Sequence, residues 1–241
     1  MSQHSDNEPG TLEVHEGLLR NCHSLQKLAM ENLILDSDDI EDIGNNFKTL
    51  KILDLEDIRI GHIYPNPTKA IQKLFKRCVE LIELNFSTKG FYESELFTAI
   101  AYNLTPKIMK VDFSSNFNLK DRHVLTLVEM CKKITELDLS FTSITNYCVD
   151  SIATHLNSSL EKLDVSHTKI DSTALLELKS VGTLKVLRCS VKNIKKRRNL
   201  RKNLPQVSIN EVSYCIASST SDTVLFPDYG FWEIKAKAQK L

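Results

Sequence analysis

The stretch ITELDLSFTSI, residues 134–144, places apolar residues at Ile134, Leu137 and Leu139, a small residue at Thr142 and another apolar one at Ile144. That pattern describes a short strand followed by a turn back into a core. It recurs at Leu25, Leu28 and Met30, at Leu50, Leu53 and Leu55, and at Leu81, Leu84 and Phe86. Further copies stand at Ile108, Val111 and Phe113, at Leu160, Leu163 and Val165, and at Leu184, Leu187 and Cys189. The opening positions lie 25, 31, 27, 26, 26 and 24 residues apart. A chance alternating strand does not return in register seven times.

Helical faces precede most of these strands. Ile40, Ile43, Gly44 and Phe47 form one, and Ile71, Leu74, Phe75 and Cys78 another. Val124, Leu127, Val128 and Cys131 form a third, and Val149, Ile152, Ala153 and Leu156 a fourth. A weaker set, Leu18, Leu19 and Cys22, stands before the first strand. Spacing of i, i+3, i+4 and i+7 makes one apolar stripe on a helix. A strand, a turn and a helix every 24 to 31 residues is the leucine-rich repeat. The predicted fold is therefore an α/β solenoid, with a curved parallel sheet inside and helices outside. Each unit buries its apolar face only against a neighbour. Seven strands at about 4.8 Å give a sheet roughly 29 Å across.

Composition agrees with a globular chain: 41% hydrophobic, 26% charged, with 7 Gly and 6 Pro in 241 residues. No apolar run nears the roughly 20 residues of a membrane-spanning helix, and no secretory signal pattern opens the chain. Formal net charge is zero, so no field of the whole molecule points to nucleic acid or acidic lipid. Cys22, Cys78 and Cys131 occupy equivalent places three residues before a repeat opens, and are expected to pack as small apolar groups. The six cysteines are read as reduced and intracellular. Neither C-x-x-C nor a Cys/His cluster with ligand spacing occurs, so no metal and no cofactor is expected. Gly-rich phosphate loops are absent as well, and His123, His155 and His167 lack a Ser or Cys partner at a recognisable spacing. The expectation is a binding protein, not an enzyme.

Residues 1–10 read as disordered, 11–203 as the repeat domain and 204–241 as a C-terminal tail that packs on the repeats. Little precedes Leu25 to cover the first strand, so that end is expected to need an additional element or a partner. Asn66, Asp121 and Asn146 are expected to cap helices, with Pro67 in the first turn of its helix. Residues 192–202, KNIKKRRNLRK, are strongly basic. Lys195, Lys196, Arg197 and Arg198 read either as a nuclear import signal or as a plain solvated helix face. Without interleaved aromatics, nucleic acid is the remoter reading.

Outward-pointing strand residues form the concave face. The fifth position of successive repeats gives Ala29, Asp54, Asn85, Asp112, Asp138, Asp164 and Arg188. The seventh gives Glu31, Glu56, Ser87, Ser114, Ser140, Ser166 and Ser190. An acidic column beside a serine column is either ordinary repeat grammar or an acceptor surface for a basic partner. At the eighth position Phe141 and His167 fall side by side on neighbouring repeats, and make a candidate contact anchor on the rim. Either the C-terminal tail or a partner is expected to cover them.

Cysteines just before the strands (NCHSL, RCVEL, MCKKI), then TALLELKSVGTLKVL, LPQVSIN and the closing W-x-I-K of residues 232–235, carry a family resemblance. The chain resembles F-box leucine-rich-repeat proteins of the S-phase kinase-associated substrate-receptor type, from Leu18 to Leu241. The resemblance implies a substrate-recognition subunit of a cullin-RING (SCF) ubiquitin ligase acting on cell-cycle proteins in nucleus and cytoplasm. It also implies a protein substrate in phosphorylated form, and a small cyclin-kinase subunit as co-adaptor. A tail that folds over the concave face belongs to the same picture, with Trp232 as its matching residue. No L-P-x-E-type start precedes Leu12, so the expectation is a form without the F-box that recruits the ligase adaptor only if one is encoded upstream. Where the family has Trp, Asp and Arg on the rim, this chain has Thr88, Phe141 and His167. The alternative is a free-standing repeat protein that binds or inhibits a partner without a ligase.

Overall fold

A computed structural model of the protein describes residues 23–60, 67–88 and 94–211. Strands β1 (Lys27–Ala29), β3 (Ile52–Asp54), β5 (Glu83–Asn85), β6 (Lys110–Asp112), β7 (Glu136–Asp138), β8 (Lys162–Asp164), β9 (Val186–Cys189) and β10 (Ser208–Glu211) form one sheet in that order. Every pairing is parallel, and between neighbouring repeats the same positions stand opposite one another, as in Leu137 beside Leu163. Short β2 (Ile34–Leu35) and β4 (Arg59–Ile60) make a second parallel pair beyond the first turns. The expected solenoid is what the chain builds.

One boundary moves. Residues 204–211, expected in the tail, instead supply β10, which pairs with β9 from Ser208 opposite Val186 to Glu211 opposite Cys189. Leu204 and Val207 are buried, so this segment closes the sheet as an eighth strand. The remaining tail with Trp232, the 11–22 segment, residues 1–10, Cys22, Cys215 and Asn66 lie outside the described residues.

Helices cover the other side: α1 (Ser37–Asn46), α2 (Pro67–Arg77), α3 (Ser94–Asn103), α4 (Asp121–Met130), α5 (Val149–His155) and α6 (Ile194–Asn203). The four stripes read from the sequence are buried in α1, α2, α4 and α5. Helix α3 gave no clean stripe because SELFTAIAYN buries Leu96, Phe97, Ala99, Ile100 and Ala101, more than one face. The shortest repeat, 160–184, holds only a 3₁₀ helix, Ala174–Ser180. Phe97 packs edge-on to Phe86 and Phe113, both with ring centroids 6.4 Å away, and ties two adjacent repeats together.

Cys78 and Cys131 sit where expected, fully buried and free, each with its thiol facing carbonyls of the preceding layer. Burial pushes Cys78 up to about 11 and Cys131 up to about 12, so both stay thiols. Two capping expectations are corrected. Asp121 is the first residue of α4, not its cap, and its carboxylate accepts from the N–H and hydroxyl of Thr145 in the next repeat, both at 2.8 Å. Asn146 likewise serves its neighbour: its Oδ1 accepts from the Asp171 N–H, while Thr145 caps its own turn. At these two positions the side chain bonds to the next repeat instead of to its own turn.

Candidate partner-recognition face

The strands aim three side-chain columns at the concave side. In the fifth position, Asp112, Asp138 and Asp164 are only 5–6% exposed. Their geometry is shared: each Oδ1 accepts from the backbone N–H two residues on, at Ser114, Ser140 and Ser166, over 2.8 to 2.9 Å. Asn85 does the same for Ser87, and Asp54 for Glu56. These are Asx turns that end each strand. Burial, with Asp112 and Asp164 on either side, raises the carboxyl of Asp138 well above the usual range. Burial raises Asp164 as well, opposed by Ser166, which donates to it, and by Arg188 at 3.8 Å. The acidic column therefore acts first as strand-ending architecture, with Arg188 closing its C-terminal end.

A third column was not read from the sequence. At the third repeat position Glu83, Lys110, Glu136 and Lys162 alternate in sign across β5 to β8. Lys110 lies 3.1 Å from Glu83 and 3.8 Å from Glu136, and Lys162 lies 3.2 Å from Glu136. Alternation makes this part of the face locally neutral yet rich in donors and acceptors. The same repeat arithmetic that gave the fifth position would have found it, two residues earlier.

The eighth position holds the backbone device that shapes the rim. Asn32, Asp57, Ser115, Phe141 and His167 all have positive φ, from 51° to 63°. This left-handed residue lets the chain turn back into the core while its N–H continues the ladder. Asn32 donates to the Glu56 carbonyl, Asp57 to Ser87, Ser115 to Ser140 and Phe141 to Ser166, at 2.8 to 3.0 Å. His167, near the end of the series, donates to Ser190 Oγ instead. Thr88 and Val191, where β-branching makes the left-handed region costliest, are absent from this set. One position later, Asn116, Thr142 and Thr168 turn inward and donate to the carbonyls of Phe113, Leu139 and Val165. The structure brings Phe141 and His167 together as expected: their rings stack with centroids 4.1 Å apart and planes 13° apart.

The basic run is helical. Asn193 caps α6, its side chain accepting from the N–H groups of Lys195 and Lys196. Lys195, Lys196 and Arg198 are exposed, while Arg197 is half-buried and donates to the Val191 carbonyl.

His123 has a serine neighbour in space. Its Nε2 lies 3.0 Å from Ser94 Oγ, across a boundary between repeats that sequence spacing does not reveal. Its Nδ1 accepts the Lys120 N–H at 3.0 Å, and its Nε2, beside Ser94, also meets the Nε–H of Arg122 at 3.1 Å. A ring held this way ties the start of α4 to Ser94 of α3. Burial and the nearby Arg122 push His123 down to about 4. Among the described residues no group of three or more His, Cys, Asp or Glu could hold a metal ion, and no helix is long and apolar enough to cross a membrane.

Similar solved structures share the fold. The structure of the yeast Rad7 and Elc1 complex aligns with a TM-score of 0.56 at 14% identity, over 80% of this chain and 56% of that one. The mouse RP105/MD-1 complex aligns with a TM-score of 0.51 at 20% identity, over 80% of this chain and 30% of that one. The chain thus spans about half or less of the length of these two. No curated protein matches it. The SKP2 LRR domain family matches residues 8–239, nearly the whole chain. Repeat register and parallel sheet topology agree with that match, and the chain belongs to the SKP2 LRR domain family.

Proposed function

We propose that this leucine-rich-repeat chain is a substrate-recognition module of a cullin-RING ubiquitin ligase and holds a cell-cycle protein on its concave face. The observation that carries the reading is the family match over residues 8–239. In this reading Phe141, His167 and Arg188 supply rim contacts, and the third-position ladder supplies polar ones. Asp112, Asp138 and Asp164 shape the strand ends beneath them. Trp232 is assigned to the tail's share of the surface, as family resemblance implies. The substrate is taken in phosphorylated form, with a small cyclin-kinase subunit as co-adaptor. Nuclear entry is assigned to Lys195, Lys196, Arg197 and Arg198, with activity in nucleus and cytoplasm.

The test is immunoprecipitation of the endogenous protein, probed for cullin and adaptor subunits, followed by cycloheximide chase of its co-purifying protein after depletion. Co-purified cullin and a lengthened substrate half-life are the expected results. Substrate capture with neither outcome refutes ligase membership and leaves a free-standing binder.

A further inference from the structure

The zero net charge hides a segregation along the solenoid. Residues 31–57 hold nine aspartates and glutamates against two lysines. At the other end, residues 181–211 hold nine lysines and arginines against Glu211 alone. Partial desolvation by the chain around it, then the charges of Asp54, Glu31, Asp112 and Asp57, push Glu56 up to about 7 at the acidic end. The field of the molecule is therefore polarised, acidic over its first repeats and basic over its last.

Helix α6 concentrates the basic charge. It buries only Leu200 of its ten residues. At 100° per residue Lys195, Arg198 and Lys202 fall on one stripe opposite Leu200, about 10 Å from end to end. All three are exposed and none forms an ion pair among the described residues. Beside them Ile194 is 61% exposed, one of the most exposed large apolar residues described. The arrangement also opposes the helix's own stability, since Lys195 and Lys196 stand in the first turn, where the macrodipole disfavours cations.

We infer that α6 is a docking site for a short acidic segment of a protein partner, seated on Lys195, Arg198 and Lys202 with an apolar side chain against Ile194. Three features favour a peptide over nucleic acid. Residues 181–211 contain no aromatic on which a base could stack. A duplex carries a charge every 1.7 Å or so along its length, and extending it along the sheet meets the acidic repeats. A peptide about as long as α6, roughly 15 Å, stays within the basic end. An exposed isoleucine gives a phosphate backbone nothing, but it gives a peptide side chain an apolar contact. The inference does not depend on membership of a ligase.

The test uses the full chain and fluorescence polarisation with two probes: a labelled Glu/Asp-rich peptide of about five residues containing one leucine, and a duplex oligonucleotide of equal net charge. The peptide is expected to bind more tightly than the duplex at equal salt, and its affinity to fall as salt rises. Joint replacement Lys195→Glu, Arg198→Glu and Lys202→Glu should weaken it at least about tenfold. Ile194→Ser should weaken the peptide severalfold and leave the duplex unchanged. If the triple reversal melts early, neutral Lys195→Gln, Arg198→Gln and Lys202→Gln serve in its place. No peptide binding, binding indifferent to these changes, or tighter duplex binding would overturn the assignment.

Discussion

Phe141 and His167 stack face to face, 4.1 Å between ring centroids, from two successive left-handed turns with φ of 55° and 56°. Asn32 and Asp57 tolerate that backbone cheaply, but a phenylalanine does not. The left-handed region costs an ordinary residue roughly 1–2 kcal/mol. An aromatic pair returns about 0.5–1.5 kcal/mol. The two nearly cancel, which leaves the pair little net stability and fits the contact role proposed for Phe141.

Replacing Phe141 with Asn should therefore change unfolding free energy by less than about 1 kcal/mol in urea titrations, against the roughly 3–5 kcal/mol of a core Phe truncation. Capture of the protein partner should weaken at least tenfold or so. A loss of about 3 kcal/mol would make Phe141 a packing residue.

Neighbouring residues on β7 should separate core from strand-ending roles. Leu137→Ala, fully buried, should cost about 2–5 kcal/mol. Asp138→Ala orphans the Ser140 N–H and should cost about 1–3 kcal/mol. Asp138→Asn keeps an acceptor and removes a charge that burial and two flanking aspartates disfavour, so it should equal or exceed the parent above neutral pH. A chemical-denaturation series that ranks Asn below Ala would refute the Asx-turn assignment.

Glu56 gives a pH signature of known sign. Its folded value is raised to about 7 from 4.5, so the folded state holds the extra proton between those limits. Stability from this group is full below about pH 4.5 and is lost as pH rises through about 7. Glu56→Gln should therefore raise the melting temperature at pH 8 and leave it unchanged near pH 4. Equal effects at both pH values would contradict the shift.

His123 works in the opposite direction. Its folded value is lowered to about 4 from 6.5, so the unfolded chain binds the extra proton between them. Stability is lost as pH falls through that window, by up to about 3 kcal/mol at 1.36 kcal/mol per unit. His123→Asn should cost stability at pH 7.5 by loosening the start of α4, and the gap from the parent should narrow by pH 4.5. A constant gap in parallel melts would place His123 outside the buried capping role.

What the sequence made legible was the part governed by period. Leu137 and Leu139 announce a strand, and recurrence every 24 to 31 residues announces stacking. Phe141 beside His167 followed from the same arithmetic. Lateral bonds did not: Asp121 holds Thr145 and Ser94 meets His123 across repeat boundaries, 24 and 29 residues apart. Such spacings vary with each repeat's length, so no local pattern signals them. The burial of Asp112, Asp138 and Asp164 was equally hidden, because alternation assigns a face but not its depth. Charge segregation could have been read, had charges been counted by repeat instead of summed.

The most direct test of a partner-holding concave face is hydroxyl-radical footprinting of the full chain, alone and bound to the protein it co-purifies with. Phe141 and His167 should lose reactivity on binding, while Tyr102 and Met130, exposed on the helical side, keep theirs. Protection of Tyr102 and Met130 with Phe141 and His167 unchanged would put the partner on the outer surface and contradict the account.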